Sequence, residues 1–310
     1  MLGGHRFAAL LLAMVLTCAP PTFSNALSAE QNAEDGGDGA AVSGAKLNDY
    51  IKGYNTLIGS FGLQEQYNAY LGQQISRKTV KDSVTVSEGW IDGALDDLKA
   101  ARAAPDGGLA DLDAAADRLI ANLDRLVGRL KSLKSYYQSR ANVEDGFVRG
   151  KREDPMVIED FKQSATTLAA LSGALEAAIE RRDETELAAL KNSGDLIGYH
   201  GGLALQKSKA LIELLSSAKD LRNPDLIKRG DALAAEIAKA LEETRKSLGA
   251  KPAEISAHDL RDSMYDDVVN SLEMLVGGYR DMKRSGSSSY YSAMVANYNE
   301  AVDHANLGQH

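Results

Sequence analysis

The segment GDLIGYHGG places Gly194, Gly198, Gly201 and Gly202 around Tyr199 and His200, residue types that could do chemistry if a turn presented them to a ligand. An imidazole beside a phenol could bind a polar ligand or move a proton. The segment lacks the Gly-Lys-Ser/Thr ending of a phosphate loop, and no strand pattern precedes it. A second reading takes the glycines, three and four residues apart, as a helix junction or kinked helix where two helices cross closely. The spacing favours that structural reading. Tyr199 and His200 remain candidate ligand or partner contacts.

The other chemistry-bearing residues are scattered. His258 and His304 stand alone, His310 is terminal, and no His-Glu-x-x-His pattern occurs, so no metal set is expected. The pairs Asp96-Asp97 and Asp266-Asp267 fall on the polar faces of expected helices, where solvation explains them. No Gly-x-Ser-x-Gly elbow is present, and Cys18 is the single cysteine. The expectation is a non-enzymatic protein with no catalytic residue and no cofactor.

Tyrosine is the abundant aromatic, 12 residues against 5 Phe and 1 Trp, which makes a tyrosine-lined surface the main binding alternative. Tyr54, Tyr137, Tyr265, Tyr279 and Tyr298 fall on apolar helical faces, which suits packing with each hydroxyl at an edge. Tyr54 and Tyr298, each beside an Asn, join Tyr199 and His200 as candidate contacts for a glycan, peptide or lipid.

The elements that would position these residues are helical. Ala and Leu are frequent, Pro numbers 6, and no run alternates like a strand. The formal charge is −9 without a long basic run, which argues against nucleic acid or an anionic lipid surface as partner. Residues 1–26 read as a secretory signal: Arg6 precedes an apolar run too short to span a bilayer, Pro20-Pro21 ends it, and Ser24-Asn25-Ala26 supplies the small residues of a cleavage site. Cys18, preceded by Val15-Leu16-Thr17, is the alternative: a lipidation site anchoring the chain to a membrane. Residues 27–45, small, acidic and Gly-rich, read as a disordered linker. Residues 46–307 read as a single all-α domain, an elongated helical bundle of about six to eight helices with long antiparallel members.

Within that domain, Tyr50, Ile51, Tyr54, Leu57, Ile58 and Phe61 share one face. Ser87 is expected to cap a helix burying Trp90, Ala94, Leu98 and Ala101. Leu109, Leu112, Ala116, Leu119, Leu123, Leu126, Leu130, Leu133 and Tyr137 form an unbroken seam, suited to an intramolecular bundle or, as the alternative to a monomer, to a dimeric coiled coil over 109–137. Asn142–Asp154 reads as a loop and Asp154-Pro155 as a helix start. Asn223-Pro224 repeats that signature, and Ser256 with Asp259 resembles a capping box. The Tyr-Asn helices at the two ends are expected to pack on one another and close the bundle.

KLNDYIKGYNTLIGSF from Lys46 and YYSAMVANYNEAVDHAN from Tyr290 are similar to segments of the YiiG family, bacterial envelope proteins of unknown function, many of them lipoproteins. The resemblance implies a helical, periplasmic or secreted protein, or an outer-membrane lipoprotein, and carries no catalytic residue. The expected role is binding or structural, with an envelope protein or glycan as partner and the membrane reached only through a lipid on Cys18. Alternatives are a ligand-binding module with a Tyr-lined cleft and, least favoured, an unrecognised hydrolase.

Overall fold

The computed structural model describes residues 37–105, 107–216, 221–249 and 260–307, which are helical with no strand among them. The signal region with Cys18, the linker up to residue 36, Ser256, His258, Asp259 and His310 lie outside the described residues. Among the described residues no helix is long and apolar enough to cross a membrane.

The residues gather into two compact units, one ending at Glu180 and the other starting at Arg181. Within the span 46–307, expected as a single domain, the described residues bury two hydrophobic clusters. The reason is visible in helix α6 (Val148–Ser193). Its apolar stripe is interrupted between buried Ile179 and buried Leu187 by Glu180-Arg181-Arg182-Asp183-Glu184-Thr185-Glu186, which offers no apolar side chain to either core.

The first unit contains α1 (Gly37–Ile58), α2 (Leu63–Gly72), α3 (Gly89–Ala103), α4 (Ala110–Gln138), the short α5 (Ala141–Glu144) and α6 up to Glu180. Every residue of the α4 seam is buried, from Leu109 to Tyr137, among side chains of this chain's own first core. Polar ladders on either side give the helix directions. Asp92 meets Lys131, Lys99 meets Asp124 and Arg102 meets Asp117, so α3 and α4 run antiparallel. Arg149 meets Ser132, Asp160 meets Arg129 and Thr167 meets Asn122, so α4 and α6 do too.

Several boundaries differ from expectation. Helix α1 begins at Gly37, inside the expected linker. Helix α3 begins at Gly89 behind Glu88, and Ser87 does not cap it. The expected loop 142–154 is mostly helix, and Pro155 lies inside α6. The start of α6 is set upstream by Phe147, fully buried at φ +68° with its ring 6.0 Å from that of Tyr137. The carbonyl that Pro155 leaves unpaired in the α-helical pattern belongs to exposed Lys151, where water can satisfy it.

The second unit contains the rest of α6, α7 (Leu196–Ser216), α8 (Pro224–Gly249), α9 (Leu260–Ser285) and α10 (Tyr291–Leu307). Asn223 caps α8 as its sequence suggests, its Oδ1 accepting from the backbone N–H groups of Asp225 (2.9 Å) and Leu226 (3.3 Å). Arg245 pairs with Glu273 and Asp231 with Lys283, so α8 and α9 are antiparallel. Val268, Leu272, Leu275 and Tyr279 of α9 point inward with Ile237 and Leu241 of α8 and Met294, Ala301 and Val302 of α10.

Candidate functional site

The glycine-rich segment is a helix junction. Gly194, in the left-handed conformation at φ +79°, closes α6, and Asp195 caps α7 by accepting the Gly198 N–H at 3.0 Å. Gly201 is buried against the ring of Tyr265 from α9: a Cβ there would sit 2.5 Å from Tyr265 Cε1. The absent side chain is what lets α7 and α9 approach. Tyr199 and His200, both half-buried, lie in an edge-on ring contact with centroids 4.9 Å apart, and Lys191 Nζ sits 5.5 Å from the Tyr199 ring centroid. Burial lowers the His200 pKa below 6.5, aided by Lys191 and Lys246 and opposed by Glu243. The imidazole packs beside a phenol already engaged in ring contacts.

Of the four candidate contacts, Tyr54 belongs to the first unit and Tyr199, His200 and Tyr298 to the second. Tyr54 is a core residue of the first unit, and its hydroxyl lies 3.0 Å from Ser172 Oγ on α6. Tyr298 packs half-buried against the second core. The first and last helices are each covered within their own unit: α1 by α3 and α2, α10 by α9 and α7. Cys18 lies outside the described residues.

Two groupings were not foreseen. In the first, Lys46 is 1% exposed; its Nζ donates to Asp113 Oδ2 at 2.9 Å and to the Ala104 carbonyl at 3.2 Å. Tyr50 donates its hydroxyl to Asp113 Oδ1 at 2.6 Å, and half-exposed Arg102 approaches the same carboxylate at 3.6 Å. Burial, followed by the Asp113 hydrogen bond, pushes the Tyr50 phenol well above its usual range. This cluster locks α1 onto α4. Its signal in the sequence was Lys46 itself, one turn before Tyr50 in register with the apolar face of α1.

In the second, Phe61 and Trp90 stack at the surface, 5.4 Å between centroids and 15° between planes, while remaining 61% and 55% exposed. Both were expected in the core. Helix α1 stops at Ile58, and Gly59-Ser60-Phe61-Gly62 is a turn, which lifts Phe61 off the buried face. The glycines on both sides of Phe61 were the available sign. Beside the stack, Glu88 is largely buried with Oε1 on Lys134 at 2.9 Å, while its Oε2 has no hydrogen-bond partner. The pair places two stacked apolar rings at the surface of the first unit.

A third set of polar groups also belongs to the first unit. The Tyr137 hydroxyl is buried without a hydrogen-bond partner, and the Tyr70 hydroxyl is buried beside the Asp154 carboxyl. Tyr70 faces Asp154, whose carboxyl burial raises above its ordinary pKa while Tyr70 draws it back down. Burial, then the Asp154 charge, pushes the Tyr70 phenol upward in return.

The described residues define the class as an all-α protein with two helical cores. The chain belongs to the family described as protein of unknown function (DUF3829), whose pattern spans residues 41–285. No curated protein and no solved structure matches it.

Proposed function

We propose that the protein is a non-enzymatic, exported binding or structural component of the bacterial cell envelope, of the YiiG-like kind. The observation that carries the binding role is the Phe61–Trp90 stack, fixed on one helical unit by the turn after α1 and the first turn of α3. Exposed paired aromatics are the anchors that partner surfaces bury, and two rings already in contact lose little side-chain freedom when covered. Export is supported by the N-terminal pattern of Arg6, a short apolar run, Pro20-Pro21 and Ser24-Asn25-Ala26. The partner fitting this reading is an envelope protein or glycan, reached without nucleic acid and without a membrane span.

Export is tested by fractionation and intact mass. The expected product is an extracytoplasmic chain starting at Leu27. A diacyl or triacyl adduct at Cys18 would replace the soluble form by a lipoprotein, and full-length protein confined to the cytoplasm would overturn the envelope role. The binding role is tested by comparing capture from native envelope on the wild-type chain and on Phe61→Ser/Trp90→Ser. A partner held equally by both proteins would show that the stack is not the contact.

A further inference from the structure

The second unit holds a surface cleft of about 530 Å³ between α8 and α9, lined by Asp231, Ala234 and Ala235 on one side and Tyr279, Arg280, Lys283 and Arg284 on the other. Three cations face one carboxylate, on a chain whose formal charge is −9. Residues 280, 283 and 284 fall three and four apart, so a single face of α9 presents them together. Lys283 is bound to Asp231, with Nζ 2.8 and 2.6 Å from its two oxygens, and Arg284 reaches Asp281 at 2.7 Å. Arg280 is exposed and has no ion-pair partner among the described residues.

The room exists because of small residues on α8. Gly230 has no Cβ to meet the Tyr279 hydroxyl, which would lie 2.5 Å from one. The phenol therefore lies down against α8, donating to the Ile227 carbonyl at 3.1 Å and to Asp231 Oδ1 at 3.0 Å. Ala234 and Ala235 continue the wall with methyl groups, leaving an apolar floor under a cationic rim. We propose that this cleft binds a small amphipathic anion, one carboxylate or phosphate head on an apolar body, with Arg280 as the principal head-group contact and Ala234, Ala235 and the Tyr279 ring against the body. An arginine fork suits either head. This site is independent of the Phe61–Trp90 stack, which belongs to the first unit.

The test is calorimetric titration of the full chain with dodecanoate, dodecyl phosphate and, as the neutral counterpart, dodecyl maltoside, each below its micelle concentration. The expected result is saturable 1:1 binding of at least one anion and none of the neutral amphiphile; which anion binds identifies the head group. Arg280→Glu/Arg284→Glu should weaken binding at least tenfold, and Ala235→Trp should abolish it by filling the cleft, both with unchanged helical circular dichroism. Asp231→Asn should tighten binding several-fold by releasing Lys283 while keeping an acceptor for Tyr279, a gain that a purely structural ion pair would not give. Absence of saturable anion binding, equal binding of dodecyl maltoside, or affinity unchanged in the charge-reversed and cleft-filled variants would overturn the assignment.

Discussion

Replacing Asp113 by Ala should destabilise the first unit by about 3–5 kcal/mol, the cost of removing one member of a buried ion pair. The magnitude follows from what is left behind. Lys46, 1% exposed, keeps only the Ala104 carbonyl at 3.2 Å, and the Tyr50 hydroxyl loses its acceptor at 2.6 Å. Arg102, on the exposed side of the cluster, cannot take over, since it brings a second positive charge toward Lys46. The pair itself need not add net stability over apolar packing. Lys46→Met/Tyr50→Phe/Asp113→Leu, which removes the three buried polar side chains together and leaves Arg102 to water, should therefore cost less than Asp113→Ala alone, about 1–3 kcal/mol on the scale of core shape changes. Trp90 is the chain's only tryptophan and lies in the first unit, so urea unfolding followed by its fluorescence reads that unit, while far-ultraviolet circular dichroism reads both. A loss below about 1 kcal/mol for Asp113→Ala, the level of a surface pair, would refute the claim that this cluster locks α1 onto α4.

Further outcomes follow from the same packing. Leu123→Ala, at a fully buried seam position, should cost about 2–5 kcal/mol in the Trp90-detected transition; an unchanged midpoint would mean the seam is not core. Gly201→Ala should cost about 1–3 kcal/mol, because its methyl would meet the Tyr265 ring; thermal unfolding by circular dichroism checks this, and a stability equal to wild type would show that α7 and α9 can part freely. For Asp154, burial raises the carboxyl pKa in the folded chain. Its contribution is therefore fully present below the unfolded pKa and is lost as pH rises through the folded one. Asp154→Asn should gain on wild type between pH 3 and pH 7 in thermal midpoint, and a difference that does not change with pH would contradict the assignment.

What the sequence revealed and what it hid divide along physical lines. The α4 seam was legible because nine apolar residues repeat without interruption, and a face of that kind has to be covered. Asn223-Pro224 was legible because capping is local chemistry. Asp154-Pro155 carries the same local signature and misled, since the start of α6 is fixed by the burial of Phe147 against Tyr137, a contact made through tertiary packing. Phe61 and Trp90 looked like core residues by hydrophobicity alone; a turn after Ile58 and a helix start at Gly89 turn them outward. The Lys46–Asp113 pair joins residues 67 positions apart, so nothing local could announce it, although a lysine in register with an apolar face was a visible anomaly. The cleft over Tyr279 depends on Gly230 and on the spacing of α8 and α9, which periodicity does not report. The division into two cores was present in the charged stretch of α6, but amphipathic helices on both sides of it suggested continuity.

The binding role is tested most directly by a photo-crosslinking residue placed at Phe61 in the full chain, expressed in its native envelope, with the same residue at exposed Ala169 of the first unit as the control. The account predicts one discrete adduct at position 61, lost when Trp90 is also changed to Ser, and none at position 169. No adduct at 61, or the same adducts at both positions, would contradict it.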